Sequence, residues 1–136
     1  MSAGKGIKVI VTMIGLDSHT TGAEVVTALL RDAGFEVVYL GINQSPEMIV
    51  QAAIQEDVDV IGISSHASNF AVIEKLMDLI GENGLEDVPV IVGGHVPPDQ
   101  VERLTAKGVA KTFPPGTPGE DIVNALAEMG RVRHEV

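Results

Sequence analysis

Residues 17–22, with the sequence DSHTTG, place a carboxylate, an imidazole and three hydroxyl groups in six consecutive positions. They follow an apolar run that ends at Ile14 and precede a pattern typical of a helix. A histidine two residues after an aspartate is suited to metal ligation, although such histidines are more often ordinary loop residues beside a carboxylate. The segment alone leaves both interpretations open. Its candidate residues are Asp17, Ser18, His19, Thr20, Thr21 and Gly22.

Small and polar residues also follow three of the later apolar runs. Each group has a structural explanation of its own, since serines can satisfy backbone groups, a glycine pair can form a turn, and a threonine can cap a helix. Glycines also let a ligand approach the backbone, and hydroxyls supply hydrogen bonds, so the groups together suit a sizeable polar ligand. The candidate residues are Ser64, His66, Gly93, Gly94, Pro115, Gly116 and Thr117.

Five short apolar runs must position these residues, and a helical pattern follows each run. The runs are IKVIVTMI, FEVVYLG, VDVIGIS, VPVIVGG and GVAKTF. This alternation predicts an α/β fold, a flavodoxin-like doubly wound parallel sheet of five strands. The continuously apolar first, third and fourth runs are expected at its centre, and the fifth, with Lys111, at an edge. Because the segments after parallel strands meet at one edge of the sheet, all the candidate residues are expected to lie close together.

Helix boundaries follow from capping patterns. Thr21 with Glu24, Ser45 before Pro46, and Thr117 before a proline predict helices that begin near residues 21, 46 and 118. Two further helices are expected over residues 69–81 and 98–107, with glycines as stops. The C-terminal sequence RVRHEV is expected to be frayed, which places His134 in a disordered tail.

Composition excludes several classes of protein. The length of 136 residues predicts a single domain over residues 1–136. The absence of cysteine excludes disulfides, thiolate metal sites and a cysteine nucleophile. The formal net charge of -10 argues against a nucleic-acid partner. No run is long enough to cross a membrane, so a soluble, cytoplasmic protein is expected.

Two common occupants of this fold do not match the strand ends. A phospho-acceptor receiver domain needs an aspartate after the third strand and a lysine after the fifth. This chain has Ser64 and Ser65 at the first of these positions and Phe113 and Pro114 at the second. A flavodoxin needs aromatic side chains around its flavin, and aromatic residues make up only 3% of this sequence.

The ordered set of motifs resembles the cobalamin-binding domain of the adenosylcobalamin-dependent mutases. Residues 17–22 match the DxHxxG motif of that family, and Gly93 with Gly94 match its distal glycine pair. A serine after the third strand and PPGT after the fifth complete the pattern. The resemblance extends over residues 7–129. It implies a flavodoxin-like, Rossmann-like cobalamin-binding fold.

The resemblance also implies roles for individual residues. His19 would be the lower axial ligand of cobalt, displacing the cofactor's own dimethylbenzimidazole, and Asp17 would orient its ring. The displaced nucleotide tail would enter a slot that the glycines keep open, with Ser64 hydrogen-bonded to the base and the loop through Gly116 and Thr117 closing over it. The cofactor supplies the reactive chemistry, and this chain supplies binding and orientation.

Departures from the family pattern bear on which mutase the chain belongs to. Met13 stands where acyl-CoA mutases usually carry lysine, and His66 stands where leucine is usual; His66 and His95 have no assigned role. The phrases LLRDAGFEVVYLG and AAIQEDVDVIGIS favour the small subunit of an acyl-CoA carbon-skeleton mutase, similar to methylmalonyl-CoA or 2-hydroxyisobutyryl-CoA mutase. Such a subunit is an isomerase component without catalysis of its own. A large TIM-barrel mutase subunit would carry the acyl-CoA substrate site.

A glutamate mutase-type small subunit, a corrinoid carrier for methyl transfer and a non-catalytic binding module remain alternatives.

Overall fold

Strands and helices alternate strictly along the chain. The computed structural model describes residues 3–14, 20–65 and 70–134. The strands are β1 (Lys8–Thr12), β2 (Glu36–Gly41), β3 (Val60–Ser65), β4 (Val90–Gly94) and β5 (Lys111–Phe113). The helices are α1 (Thr21–Asp32), α2 (Pro46–Glu56), α3 (Phe70–Glu82), α4 (Pro98–Ala106) and α5 (Gly119–His134). Within these described ranges, no helix is long and apolar enough to cross a membrane.

The five strands form one parallel sheet in the order β2-β1-β3-β4-β5. This order confirms the flavodoxin-like prediction, including the central positions of β1, β3 and β4 and the edge position of β5. The central strands are rich in Val and Ile and almost completely buried, as expected for strands that are covered on both faces. The carboxyl ends of all five strands therefore lie along one edge of the sheet.

Two layers of helices cover the sheet. On one face, side chains such as Ile61 and Val92 pack into a core with residues of α2, α3 and α4, including Ile49, Ile73 and Leu104. The other face is covered by α1 and α5. There a second core contains Val9 and Val11 of β1, Ile91 of β4, and residues of both helices. Alternate residues of each central strand thus belong to different cores.

The helix starts predicted near residues 21, 46 and 118 are confirmed by α1, α2 and α5, but two of the three predicted capping residues do not cap their helices. The hydroxyl of Ser45 accepts a hydrogen bond from the Met48 amide at 3.2 Å, which confirms the predicted cap of α2. Helix α1 begins at Thr21, so its cap position is Thr20, whose side chain makes no capping hydrogen bond. The hydroxyl of Thr117 donates backwards to the carbonyl of Pro114 and closes a turn before α5.

The expectation of a frayed tail was wrong for residues 131–134; residues 135 and 136 lie outside the described residues. Helix α5 extends to His134. The guanidinium of Arg133 lies 2.7 Å from the carboxylate of Asp59, and the imidazole of His134 lies 3.0 Å from the same carboxylate. Because Asp59 is buried, these contacts fix the end of the helix against the sheet.

Candidate functional site

A cavity of about 330 Å³ lies between the sheet and the two helices α1 and α5. Its floor is formed by β1, β3 and β4, and its mouth by the loop after β5. The volume falls at the lower end of the range found for small-molecule sites. We refer to this cavity as the slot. Its lining includes Val9, Val11, Gly22, Ala23, Val25, Val26, Leu30, Gly62, Ser64, Ile91, Gly93, Gly94, Phe113, Pro114, Pro115, Gly116, Thr117, Ile122 and Leu126.

The slot is electrically neutral. None of the described residues that line it carries a charge, and its side-chain hydroxyls come from Ser64 and Thr117. The Thr117 hydroxyl already donates to the Pro114 carbonyl. On the same face of the sheet, burial and the negative charge of Glu24 raise the pKa of Tyr39 above its ordinary value. Such a lining suits an apolar, planar group better than a charged one.

The two glycines at the end of β4 have different reasons for being glycine. Gly94 has a φ of +114°, and a Cβ atom there would collide with the backbone carbonyl of Ser65. Gly94 is therefore required by the fold itself. Gly93 has no such constraint, because its Cβ would meet nothing closer than the Phe113 carbonyl oxygen at 4.0 Å. At Gly93 the fold leaves open space that faces the slot.

Gly62 belongs to the slot, although the sequence interpretation did not select it. It lies in the middle of β3 and lines the floor beside Ile91. A Cβ atom at this position would lie 3.3 Å from the Ile10 carbonyl oxygen and 3.7 Å from the Ile91 side chain. The available signal was a glycine between β-branched residues of the strand, which marks a close approach of a ligand or of another backbone.

The strand before the DSHTTG segment is firmly held. The buried hydroxyl of Thr12 lies 2.7 Å from the Met13 carbonyl and 3.0 Å from the Gly41 carbonyl of β2. The Met13 amide also donates to the Gly41 carbonyl, at 3.1 Å. The Met13 side chain is completely buried in the core beneath α1 and α5. At this position, where the resemblance described above would place a lysine, the chain has an apolar core residue.

Seven of the thirteen predicted site residues line the slot. Thr20 and Thr21 form the start of α1 without lining the slot. Asp17, Ser18, His19 and His66 lie outside the described residues. The predicted residues that line the slot are Gly22, Ser64, Gly93, Gly94, Pro115, Gly116 and Thr117. These seven come from four separate segments of the chain, and the fold brings them to one cavity at the carboxyl edge of the sheet.

A larger and more open cleft of about 640 Å³ lies between the ends of α3 and α5. It differs from the slot in carrying charged side chains of both signs, including Asp87, Lys107, Glu128 and Arg133. None of the residues selected from the sequence lines this cleft. The slot is therefore the better candidate for the functional site.

Comparisons with known proteins show the family to which the chain belongs. Residues 7–126 match the family model described as B12 binding domain. The chain is 44% identical to a pivalyl-CoA mutase small subunit of Xanthobacter autotrophicus, with 92% of this chain and 84% of that protein covered. It is 37% identical to a 2-hydroxyisobutanoyl-CoA mutase small subunit of Aquincola tertiaricarbonis, with 93% and 94% covered. A solved cobalamin-binding protein from Desulfitobacterium hafniense shares the fold, with a TM-score of 0.80, 23% identity, and coverage of 92% of this chain and 59% of that one.

Proposed function

Since this chain belongs to the B12-binding domain family and groups with mutase small subunits, we propose that it binds adenosylcobalamin for an acyl-CoA carbon-skeleton mutase. The observation that supports this most strongly is the slot. Motif residues that are far apart in sequence, including Gly22 at the end of the DSHTTG segment, surround one uncharged cavity. A second, large subunit would complete the enzyme.

The residues of the slot fit the nucleotide tail of cobalamin. The base of this tail, dimethylbenzimidazole, is flat and largely apolar, so it suits walls of valine, leucine and isoleucine. The space beside Gly93 would admit the tail close to the backbone of β4. Ser64 would offer its hydroxyl to the base, and the Pro115, Gly116 and Thr117 loop would cover it.

His19 would be the protein ligand of cobalt. Its neighbours in the described chain are Ile14, two residues after β1, and Thr20, directly before α1, so His19 lies in the connection between two elements that border the slot. A neutral imidazole that binds a metal through one nitrogen needs an acceptor for its other N–H. Asp17 would be that acceptor, and it would hold the ring in one orientation.

When bound, adenosylcobalamin supplies the radical chemistry of the carbon-skeleton rearrangement. The tasks of this chain are to bind the tail, to hold the imidazole that faces cobalt, and to keep water away from the buried part of the cofactor. The apolar lining of the slot serves the last task, because it offers water few hydrogen-bonding partners.

The acyl-CoA site would lie on the large subunit, for which we propose a TIM barrel. Coenzyme A carries several phosphate charges, whereas this chain has a net charge of -10. Most of its cations are also engaged in ion pairs within the chain. These are Lys8, Lys75, Arg103, Lys107, Arg131 and Arg133. By similarity to the named relatives, the substrate would be a branched acyl-CoA thioester.

Reconstitution with its large subunit and adenosylcobalamin tests the proposed function. The complete enzyme is expected to isomerise pivalyl-CoA or 2-hydroxyisobutanoyl-CoA, and His19→Ala is expected to lower turnover severely because the cobalt ligand is lost. Thr105→Ala, an exposed change on α4, is the matched control and should leave turnover unchanged. Unchanged turnover of His19→Ala at saturating cofactor would refute the ligand role. Methyl transfer without isomerisation would favour a corrinoid carrier.

A further inference from the structure

Asp59 lies directly before β3, at the edge of the sheet opposite the slot mouth, and contacts both β1 and α5. One of its carboxylate oxygens accepts a hydrogen bond from the Lys8 amide of β1 at 2.9 Å, and the other faces Arg133 and His134 of α5. Burial acts to raise the pKa of Asp59, but the hydrogen bonds from Lys8, His134 and Arg133 outweigh it and hold that pKa below its ordinary value. Asp59 is thus a buried, charged anchor for the end of α5.

Arg133 is surrounded by carboxylates. Besides Asp59 at 2.7 Å, its guanidinium lies 3.4 Å from Asp87 and 3.6 Å from Asp57, both of which are exposed. The buried contact dominates, because exposed ion pairs contribute little in water. We refer to Asp59, Arg133 and His134 as the clasp.

The helix held by the clasp is also a wall of the slot. Ile122 and Leu126 line the cavity, and Arg133 follows Leu126 by seven residues, about 10 Å along the same face of the helix. Close contacts also hold α5 before Ile122 and between Leu126 and Arg133. A Cβ atom at Gly119 would lie 2.9 Å from Leu29 of α1, and one at Gly130 would lie 2.6 Å from Ile7. A helix packed this closely moves as a rigid body, so a shift at one end displaces the slot wall.

We propose that the clasp is a positioning device that keeps the slot open at the width of the nucleotide tail. This inference rests on the proposed cobalamin binding. Without the Asp59 to Arg133 contact, α5 keeps only the contact between His134 and Asp59 at this end, and Ile122 and Leu126 no longer hold a fixed distance from the sheet. The clasp lies at the opposite edge of the sheet from the strand-end residues Gly93, Gly94 and Ser64, so its effect is expected on the tail alone.

Comparison of two corrinoids tests this inference with the full 136-residue chain. Cobalamin carries the tail and cobinamide lacks it. Arg133→Met keeps the apolar stem of the side chain and removes the charge. It is expected to weaken cobalamin binding about tenfold while cobinamide binding stays unchanged. Arg133→Lys should restore part of the loss, and Asp59→Asn gives a second variant that retains an acceptor for the Lys8 amide.

Leu104→Val is the control for a general loss of stability, because Leu104 is buried in the core on the other face of the sheet. Equal weakening of both corrinoids by Arg133→Met, or the same loss in Leu104→Val at matched stability, would overturn the positioning role. Equal affinity of the unaltered chain for cobalamin and cobinamide would overturn it as well. If the unaltered chain binds neither corrinoid, the proposed function itself fails, and the inference fails with it.

Discussion

Alanine substitutions at Gly93 and Gly94 are expected to have opposite consequences for folding and for cofactor binding. At Gly93 the added methyl meets no protein atom closer than 4.0 Å, and the backbone conformation is open to any residue. The free energy of unfolding should therefore change by less than about 0.5 kcal/mol. The methyl does enter the slot. Overfilling a packed site costs about 1 to 3 kcal/mol, which corresponds to a roughly 5- to 150-fold rise in the dissociation constant for cobalamin.

Gly94→Ala is expected to damage the fold first. The φ of +114° is strained for any residue with a side chain, and the new methyl collides with the Ser65 carbonyl. The free energy of unfolding should fall by more than about 2 kcal/mol. Urea unfolding of both variants, followed by spectrophotometric titration with cobalamin, measures the two effects separately.

Two results would refute this reasoning about the glycine pair. If Gly93→Ala binds cobalamin as tightly as the unaltered chain, the tail does not pass beside Gly93 and the slot is not its site. If Gly93→Ala instead destabilises the chain as much as Gly94→Ala, there is no room for a methyl group at Gly93.

Three further predictions concern single side chains. Ser64→Ala should weaken cobalamin binding by about 1 kcal/mol through loss of one hydrogen bond, measured by the same titration; unchanged affinity would exclude a contact with the base. The lowered pKa of Asp59 stabilises the fold above the ordinary aspartate pKa, and this contribution is lost as pH falls below about 4. Urea midpoints should therefore depend less steeply on acid pH in Asp59→Asn, and parallel pH profiles would contradict this. Thr12→Val should lower the free energy of unfolding by about 1 to 2 kcal/mol, because the valine cannot donate to the Met13 or Gly41 carbonyls; an unchanged urea midpoint would show that these contacts contribute little.

The fold and the resemblance to mutase subunits could be predicted because both depend on local patterns. Alternating apolar runs and helical segments determine a parallel sheet with few alternative topologies. Both the strand order and the family membership are confirmed. The strand-end motifs were informative because the topology brings the carboxyl ends of parallel strands to one edge.

Features that depend on contacts between distant segments were missed. The polar sequence RVRHEV is typical of a frayed tail. The structure instead holds Arg133 in a helix through its contact with Asp59, which lies 74 residues earlier in the chain. The glycine within β3 indicates a close approach at Gly62, but it does not show that α1 and α5 form a slot over this strand. The capping residue of α1 was predicted as Thr21, but the cap position is Thr20. This prediction was wrong for a different reason, because the exact end of a helix can shift by one residue at little cost.

Electron paramagnetic resonance of the Co(II) cobalamin complex tests the central claim most directly. The chain would be prepared with and without nitrogen-15 in its histidines, and His19→Ala would be the matched control. If His19 is the cobalt ligand, we expect nitrogen hyperfine splitting that changes with the label and disappears in the variant. Hyperfine splitting that is the same with and without the label would show that the cofactor keeps its own base as ligand. That result would contradict the proposed binding mode.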